Sequence, residues 1–186
     1  SRMDLEYGRY PTLRELTLYC HRAGGAVADL AWRIGGSAGM DAAPFAHDLA
    51  MGLELTRMLR HLRRDVRAGR LYIPEDELAA SGLGSEDLLA TDRGEDVRAL
   101  LNRQGDRARR FLDSAIGQLP DKARPEQTYG LILAVLHRQL LESIGSDGYA
   151  VADRQVHLTP LRKLWLAWRT ARRPHKVHPR PESSST

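Results

Sequence analysis

The sequence predicts an all-α protein built as a helical bundle, and three observations support that class. Apolar residues recur at spacings of three and four along most of the 186 residues, which is the period of a helix that buries one face. Glycine and proline separate these segments rather than interrupt them. No part of the chain alternates strands with helices as a parallel sheet requires.

The predicted elements follow one another with short connections. Helices are expected at about 12–35, 43–68, 94–118 and 126–145, with shorter ones at about 75–90 and 160–172. Thr12 and Glu15 form a capping-box pattern before the first helix, and Asp41 or Pro44 opens the second. Gly117 and Pro120 close the helix that starts near 94. The only extended candidate is 149–159.

Composition predicts one domain and a short tail. With 42% hydrophobic and 28% charged residues, residues 1–172 are expected to form a single helical domain. Residues 173–186 are rich in proline, serine and basic side chains, so they are expected to be a disordered basic tail.

Charge and cysteine usage narrow the class of partner and the compartment. The net charge is +4, and the basic residues cluster at 57–70, 103–110 and 162–180, which favours phosphate-bearing partners. The single Cys20 cannot form an internal disulfide and is expected to be a buried packing residue. There is no run of eighteen apolar residues and no signal-peptide core at the start. We therefore expect a cytoplasmic protein, with peripheral contact at the inner membrane surface as the alternative.

The helix predicted at 43–68 carries three different faces. At 100° per residue, Leu55, Met58, Leu59, Leu62 and Val66 form an ordinary core stripe. A second face combines acid, base and imidazole, because spacings of three and four align its members. These members are Glu54, Arg57, His61 and Asp65. The remaining arc is purely basic, and the mixed face is the candidate site.

Spacing alone leaves the function of the mixed and basic faces of this helix open. His61 and Asp65 at i and i+4 are a surface pair or two ligands of a metal that lacks a third. The basic run resembles a nucleic-acid patch, but no helix-turn-helix or aromatic interleaving accompanies it, so nucleic acid is not favoured.

The helix at 160–172 docks on the core or lies at a membrane interface, and core docking is the plainer interpretation. Its apolar side is Leu161, Leu164, Trp165 and Trp168.

Three ordered motifs resemble the squalene/phytoene synthase family, whose members join two prenyl diphosphates head to head. They are "LELTRMLRHLRRDVRAGRLYIP", "RYPTLRELTLYCHRAGGAVADL" and "VLHRQLLESIGSDGYAVADRQVHLTPLRKLWLAWRT". The first is similar to the second aspartate-rich segment of that family. The third is similar to the C-terminus of bacterial presqualene diphosphate synthases of hopanoid pathways. Together the motifs cover most of residues 1–172.

The resemblance implies a function and a set of site residues. It implies a Mg²⁺-dependent farnesyl diphosphate farnesyltransferase that condenses two farnesyl diphosphates to presqualene diphosphate. It assigns catalysis to Asp65, Arg60 and Tyr72, and Mg²⁺ to Asp65. It places Tyr19, Glu54 and Arg70 at positions that border a farnesyl or similar prenyl diphosphate. Arg57 and His61 differ from the family motif, and together with Arg60 they are expected to bind the diphosphate directly through charge-assisted hydrogen bonds, without metal. Small residues at 23–27 are expected to border the prenyl chain.

The sequence departs from the family motif at four positions of this helix. His61 stands where the family has its first aspartate and Arg57 where it has asparagine, while Glu54 replaces glutamine and Arg64 replaces glutamate. Mg²⁺ prefers oxygen ligands, and of the usual ligands on this helix only Asp65 is kept. The alternative function is therefore a degenerate, non-catalytic homologue that binds a prenyl diphosphate or a protein partner.

The resemblance also implies that the chain corresponds to the last two thirds of a family member. Helices with the first aspartate-rich motif are expected to be missing, which leaves a partial isoprenoid-synthase bundle lacking its N-terminal helices. An apolar pocket wall would then be exposed, so the chain is expected either to pair with another subunit at that face or to be a fragment with impaired stability.

Overall fold

The computed structural model describes residues 8–35, 43–90, 94–147 and 158–180, and it confirms the all-α class. Within these ranges there are six α-helices: α1 Leu13–Gly35, α2 Ala43–Arg67, α3 Glu75–Ala80, α4 Gly94–Gln118, α5 Thr128–Ser146 and α6 Pro160–Arg172. A 3₁₀ turn follows at Pro174–Lys176. Within the described ranges the extended pairing is limited to one parallel bridge between Arg9 and Leu71.

Helix α2 lies at the centre of the bundle, in contact with α1, α4 and α5. The predicted stripe of Leu55, Met58, Leu59 and Leu62 is buried, each residue being at most 5% exposed. Val66, the last member, is partly buried against the same core. Because one face of α2 faces the core, its mixed face is held at a fixed angle to the neighbouring helices.

Most helix ends agree with the sequence, and one differs. The glutamate half of the capping box is observed, since Glu15 Oε2 accepts hydrogen bonds from Thr12 N at 3.0 Å and from Thr12 Oγ1 at 3.2 Å. Helix α3 ends at Ala80, ten residues before the predicted end at 90, because a turn interrupts it at Ser81 and Gly82. The extended candidate 149–159 lies outside the described residues as far as 157.

Helices α1 and α2 approach closely at Gly24. A Cβ at this position would lie 2.9 Å from Glu54 Cγ and 3.0 Å from the carbonyl oxygen of Ala50. The first distance is shorter than real Cβ contacts and the second is tighter than most of them, so a larger residue would require the Glu54 side chain or α1 to shift. The absence of a side chain at Gly24 therefore permits the close approach of α1 to the mixed face of α2.

Helix α6 docks through a different face from the one predicted. Leu166 and Thr170 are buried where α6 meets α5. The face expected to dock is exposed, because Leu166 and Thr170 lie on the opposite side of α6. Its residues are Leu161, Leu164, Trp165 and Trp168. None of the helices in the described parts of the chain is long and apolar enough to span a bilayer.

The chain after α6 follows the bundle surface as far as it is described. Pro174 is buried, and Val177 packs against the core. The Arg138 guanidinium donates to the carbonyl oxygen of His178 at 2.9 Å, and the Arg180 amide donates to Asp113 Oδ1 at 3.2 Å. Residues 173–180 of the segment expected to be a disordered tail thus make specific contacts with α4 and α5, while 181–186 lie outside the described residues.

Candidate functional site

The site begins at the turn that ends α2. The Gly69 amide donates to the carbonyl oxygen of Val66 at 2.9 Å, and the Arg70 amide donates to that of Asp65 at 2.8 Å. This is the hydrogen-bond pattern of a Schellman turn. It requires a left-handed residue, and Gly69 has a φ of 75°, which glycine adopts without steric cost. The turn directs Arg70 back toward the last turn of α2.

Asp65 is thereby placed between two arginines. Its Oδ1 lies 3.2 Å from Nη2 of both Arg64 and Arg70, and the residue is 2% exposed. The other oxygen, Oδ2, is buried without a hydrogen-bond partner among the described residues. A buried carboxylate is retained only when it is paired, so the two guanidinium groups keep Asp65 in place.

Three tyrosines form one wall of the site. The Tyr10, Tyr19 and Tyr72 rings contact one another with centroids 5.3 to 5.9 Å apart. They are brought together because the loop after α2 pairs with the segment before α1. The Leu71 amide donates to the carbonyl oxygen of Gly8, and the Glu75 amide donates to that of Tyr10. Sequence segments that are sixty residues apart are therefore fixed to one another beside Asp65.

These elements enclose a cleft of about 310 Å³, here called the arginine cleft. It lies between α1, the C-terminal half of α2 and the loop that follows. Its lining combines three guanidinium groups, two carboxylates and two phenol rings. The lining residues are Tyr19, Ala23, Glu54, Arg57, Arg64, Asp65, Arg70 and Tyr72. With three cations against two anions, the cleft favours an anionic ligand.

Arg57 is fixed by two neighbours. Its Nε donates to Glu54 Oε2 at 2.8 Å, and its guanidinium carbon lies 5.5 Å from the centroid of the Tyr72 ring. Desolvation acts to lower the pKa of Arg57, but the Glu54 carboxylate and the two tyrosines together raise it above the usual arginine value. Arg57 is therefore a permanent, oriented cation.

A second cleft of about 220 Å³ adjoins the first, here called the leucine cleft. Its apolar side chains are Val27, Leu53, Leu133 and Leu140, and Gly24, Arg60 and His137 complete the lining together with the shared residues Glu54 and Arg57. Because both clefts include the Glu54–Arg57 pair, this pair forms the boundary between a charged compartment and an apolar one.

His137 is the titratable group facing the leucine cleft from α5. Its Nδ1 lies 2.9 Å from the carbonyl oxygen of Leu133, and desolvation lowers the pKa of the imidazole below its usual value. The ring is therefore neutral near pH 7, with Nδ1–H as the donor to Leu133. Its Nε2 is then left as an acceptor.

The structure brings most of the predicted site residues together but separates two of them. Tyr19, Glu54, Arg57, Asp65, Arg70 and Tyr72 line the arginine cleft, and Arg60 lines only the leucine cleft. His61 lines neither of these two clefts, although it shares the mixed face of α2, so its contact with a diphosphate stays a prediction. Its Nδ1 is buried without a hydrogen-bond partner in the described ranges.

The described residues do not by themselves make a magnesium site. Asp65 Oδ1 is occupied by two guanidinium groups, which leaves Oδ2 as one oxygen ligand where Mg²⁺ takes about six. Arg57, Arg64 and Arg70 also repel a cation at this position. Across the described ranges there is no group of three or more histidine, cysteine or acidic residues that could hold a metal.

Sequence reasoning missed the contributions of α5 and of Arg64. Leu133, His137 and Leu140 lie at spacings of three and four on α5, which is the signal of a helix face, but nothing in that spacing indicates a cleft. Arg64 was identified only as a departure from the family motif. Its contact with Asp65 was missed because neighbouring residues on a helix point about 100° apart.

The chain belongs to the squalene/phytoene synthase family. The family profile described as Squalene/phytoene synthase matches residues 1–162, which is most of the chain and includes both clefts. This agrees with the family suggested by the sequence motifs. Its members are prenyltransferases of isoprenoid biosynthesis that bind prenyl diphosphates and generally depend on magnesium.

Individual relatives support the same family. The chain is 33% identical over 169 residues to phytoene synthase 2, chloroplastic, of Solanum lycopersicum, which covers 88% of this chain and 54% of the relative. It is 33% identical over 181 residues to phytoene synthase of Arthrospira platensis, covering 88% and 57%. It is 31% identical over 183 residues to 15-cis-phytoene synthase of Synechocystis sp., covering 90% and 54%.

The chain spans about half the length of these curated relatives. All three are phytoene synthases by name, so they support the family without supporting the narrower resemblance to presqualene diphosphate synthases.

Proposed function

We propose that this chain binds a prenyl diphosphate, with the diphosphate in the arginine cleft and the hydrocarbon chain in the leucine cleft. The observation that carries the proposal is the shared boundary between the clefts, formed by Glu54 and Arg57. A prenyl diphosphate has one strongly anionic end and one apolar end. Two adjoining compartments of matching character suit such a molecule.

The diphosphate is proposed to contact Arg57, Arg64 and Arg70. Guanidinium groups bind phosphate oxygens through pairs of charge-assisted hydrogen bonds. Glu54 orients Arg57, and Asp65 orients the other two, so the carboxylates hold the cations that hold the ligand. Tyr72 supports Arg57 through its ring, and Tyr19 borders the same cleft.

The hydrocarbon chain is proposed to lie against Val27, Leu53, Leu133 and Leu140. Burial of apolar surface stabilises a complex by about 25 cal/mol per Å², so chain contacts add affinity that inorganic diphosphate cannot obtain. Arg60 also lines this cleft, together with the boundary pair Glu54 and Arg57.

The reaction proposed for this binding is the condensation of two farnesyl diphosphates to presqualene diphosphate. Carbon–carbon bonds form between the two chains, and one diphosphate and one proton are released. The names of the relatives give phytoene as the alternative product. Phytoene synthases condense geranylgeranyl diphosphate, whose chain is longer than that of farnesyl diphosphate. The prenyl diphosphate that the chain prefers therefore distinguishes the two assignments.

Non-catalytic binding is the second candidate function. It is favoured by the pairing of Asp65 with Arg64 and Arg70, since a carboxylate held by two guanidinium groups is a poor ligand for magnesium. In this interpretation the cationic substitutions at positions 57 and 64 replace metal-bridged binding by direct binding.

A protein partner is proposed at the exposed side of α1. Val27, Leu30 and Ile34 lie at spacings of three and four and are 46%, 56% and 63% exposed. Val27 also lines the leucine cleft, so a subunit covering this stripe would close that cleft. Light scattering should detect a dimer or complex that Leu30→Glu abolishes. A monomer at all concentrations, with no co-purifying subunit, would contradict this part of the proposal.

The experiment combines binding with turnover. The purified chain is titrated calorimetrically with farnesyl or geranylgeranyl diphosphate in EDTA, and diphosphate release is then followed with and without Mg²⁺. Binding without metal and little or no release are expected from the chain alone. Robust Mg²⁺-dependent release would exclude the non-catalytic candidate. The absence of binding heat for either ligand, with or without Mg²⁺, would exclude the binding proposal itself.

A further inference from the structure

Helix α6 is apolar on two opposite sides, and only one side meets the bundle. Leu166 and Thr170 face inward and are 4% and 3% exposed. On the opposite side four large apolar side chains are between one half and four fifths exposed: Leu161, Leu164, Trp165 and Trp168. Their spacing of three, one and three places them on a single stripe. Exposed stripes of this size mark interaction surfaces.

The charged side chains of α6 and of the turn that follows it are all of one sign. Residues 160–176 contain six arginine and lysine side chains and no aspartate or glutamate. Two of the cations lie against the exposed indoles: the guanidinium carbon of Arg169 is 4.9 Å from the Trp165 ring centroid, and that of Arg172 is 5.1 Å from the Trp168 centroid. The stripe is therefore bordered by cations attached to its own aromatic residues.

A cleft of about 370 Å³ flanks the same helix, between α5, α6 and the chain that follows. We name it the C-terminal cleft. Arg169 lines it from α6, Arg173 from the residue that follows α6, and Lys176 from the 3₁₀ turn. Glu142 of α5 is the acidic residue of this lining, and it is paired with Arg180. Arg138 also lines it and is paired with Asp113 at 3.0 Å. Cations thus extend from the exposed stripe into a recess that is large enough for a phosphate headgroup.

We propose that α6 is a docking surface for an anionic phospholipid bilayer. The stripe containing Trp165 and Trp168 enters the interface between headgroups and acyl chains, where indole rings are favoured. Arg169, Arg173 and Lys176 contact lipid phosphates beside it. Basic residues near an anionic leaflet each strengthen binding, and the uniform charge of the helix makes the surface complementary to that leaflet.

Charge also argues against self-association through this face. A symmetric contact would bring two copies of the same patch together, with twelve like charges and no acidic partner within 160–176 of either copy. An acidic protein partner would account for the cations of α6, but it would not account for the exposed indole rings of Trp165 and Trp168. This inference is independent of prenyl diphosphate binding, because none of these residues lines the arginine or the leucine cleft.

The first test is flotation of the full chain with vesicles of phosphatidylcholine alone or with one third phosphatidylglycerol. We expect binding to the anionic vesicles and weak or no binding to the neutral ones. The double variant Arg169→Gln/Arg173→Gln should weaken binding by about tenfold or more, since two cations are removed. Arg98→Gln/Arg103→Gln, two exposed arginines of α4, is the matched control and should bind as the parent does.

The second test reports which residues enter the bilayer. Vesicles with brominated acyl chains should quench the fluorescence of the parent chain, which has three tryptophans. In Trp165→Phe/Trp168→Phe the remaining Trp32 is 5% exposed, so this variant should show little quenching while it still floats. Circular dichroism and farnesyl diphosphate affinity serve as folding controls. Both should be the same as in the parent for Arg169→Gln/Arg173→Gln and for Trp165→Phe/Trp168→Phe.

Several results would overturn the proposal. They are equal flotation with neutral vesicles, unchanged flotation of the Arg169/Arg173 variant, and absence of quenching in the parent. Binding of inorganic phosphate or glycerol phosphate in the C-terminal cleft without vesicle binding would assign the cations to a soluble anion instead. Dimerisation that is lost on Trp168→Glu, again without vesicle binding, would assign the stripe to a second copy of the chain.

Discussion

The carboxylate of Asp65 and the guanidinium of Arg70 lie 3.2 Å apart, joined by the turn that ends α2. The family motif leads one to expect that Asp65 faces a metal. Here it faces cations that belong to the protein, and the cleft beside it is positive where a magnesium site is negative. The same geometry makes direct binding of an anion the function that these residues support.

Replacing Asp65 tests its structural role. Asp65→Asn removes the charge that holds Arg64 and Arg70, and we expect the free energy of unfolding to fall by about 1–3 kcal/mol, as for hydrogen bonds to charged groups. Urea denaturation measures this loss. Glu126→Gln, at an exposed position, is the control and should change stability little.

The same variant distinguishes an arginine-orienting role from a metal-ligand role. If Asp65 positions the guanidinium groups of Arg64 and Arg70, Asp65→Asn should bind inorganic diphosphate more weakly than the parent, and by the same factor in EDTA and in Mg²⁺, because both arginines lose the carboxylate that orients them. A loss of affinity that appears only in the presence of Mg²⁺ would show instead that Asp65 holds the metal.

The turn at Gly69 gives a second prediction. Gly69→Ala must keep a φ of 75°, which costs an L-residue about 1–2 kcal/mol, so thermal unfolding should occur at a lower temperature. Gly25→Ala is the matched control. A Cβ at Gly25 meets no atom within 4 Å, and alanine in a helix interior stabilises by up to about 1 kcal/mol. Equal effects of the two variants would contradict the role of this turn.

Val27 tests the assignment of the leucine cleft. Val27→Phe places a larger side chain at the mouth of that cleft, where Val27 is 46% exposed and tolerates added volume. Farnesyl diphosphate should bind at least about fivefold more weakly, which corresponds to about 1 kcal/mol. Inorganic diphosphate should bind as before. Calorimetric titration with both ligands separates this outcome from a general loss of affinity.

Protonation of His137 should make stability depend on pH. Desolvation lowers the pKa of His137 in the folded state, while the unfolded chain takes up a proton near the ordinary value of about 6.5. The unfolded state therefore binds more protons as pH falls below that value, and the free energy of unfolding decreases. His61 contributes in the same direction, because desolvation and then Arg64 and Arg60 lower its pKa.

Denaturation at pH 7.5 and pH 5.5 measures this effect. The loss of stability between the two values should be smaller in His137→Gln than in the parent. His175→Gln, at an exposed position, should keep the parental loss. If His137→Gln also retained the full loss, burial of this imidazole would not be its cause.

The helices could be predicted from the sequence because their signals are local. The 3.6-residue period of α2 and the glutamate half of the capping box at Thr12 depend on neighbouring residues only, and both are observed. The Tyr10–Tyr19–Tyr72 wall depends on pairing between distant segments, and no local pattern reports it. Cys20 was expected to be a packing residue, and it is fully buried with the pKa of its thiol raised to about 12 by desolvation.

The candidate site was predictable as a helix face but not as a cavity. Spacing placed Glu54, Arg57, His61 and Asp65 together, but the positions of α1, α5 and the loop after α2 decide which of them border a cleft. That packing leaves His61 outside the two clefts and adds Arg64 to the lining of the arginine cleft. The docking face of α6 was misassigned for a similar reason, since a helix with two apolar sides gives no local signal of which side is buried.

The most direct measurement is calorimetric titration of farnesyl diphosphate into the parent chain, Arg57→Gln and Arg98→Gln, all in EDTA. Arg57 belongs to both clefts, whereas Arg98 is an exposed residue of α4 that lines neither. We predict metal-free binding by the parent and Arg98→Gln, and affinity at least about tenfold weaker for Arg57→Gln, about 1.4 kcal/mol. Binding that requires Mg²⁺, or equal affinity of all three proteins, would contradict the account.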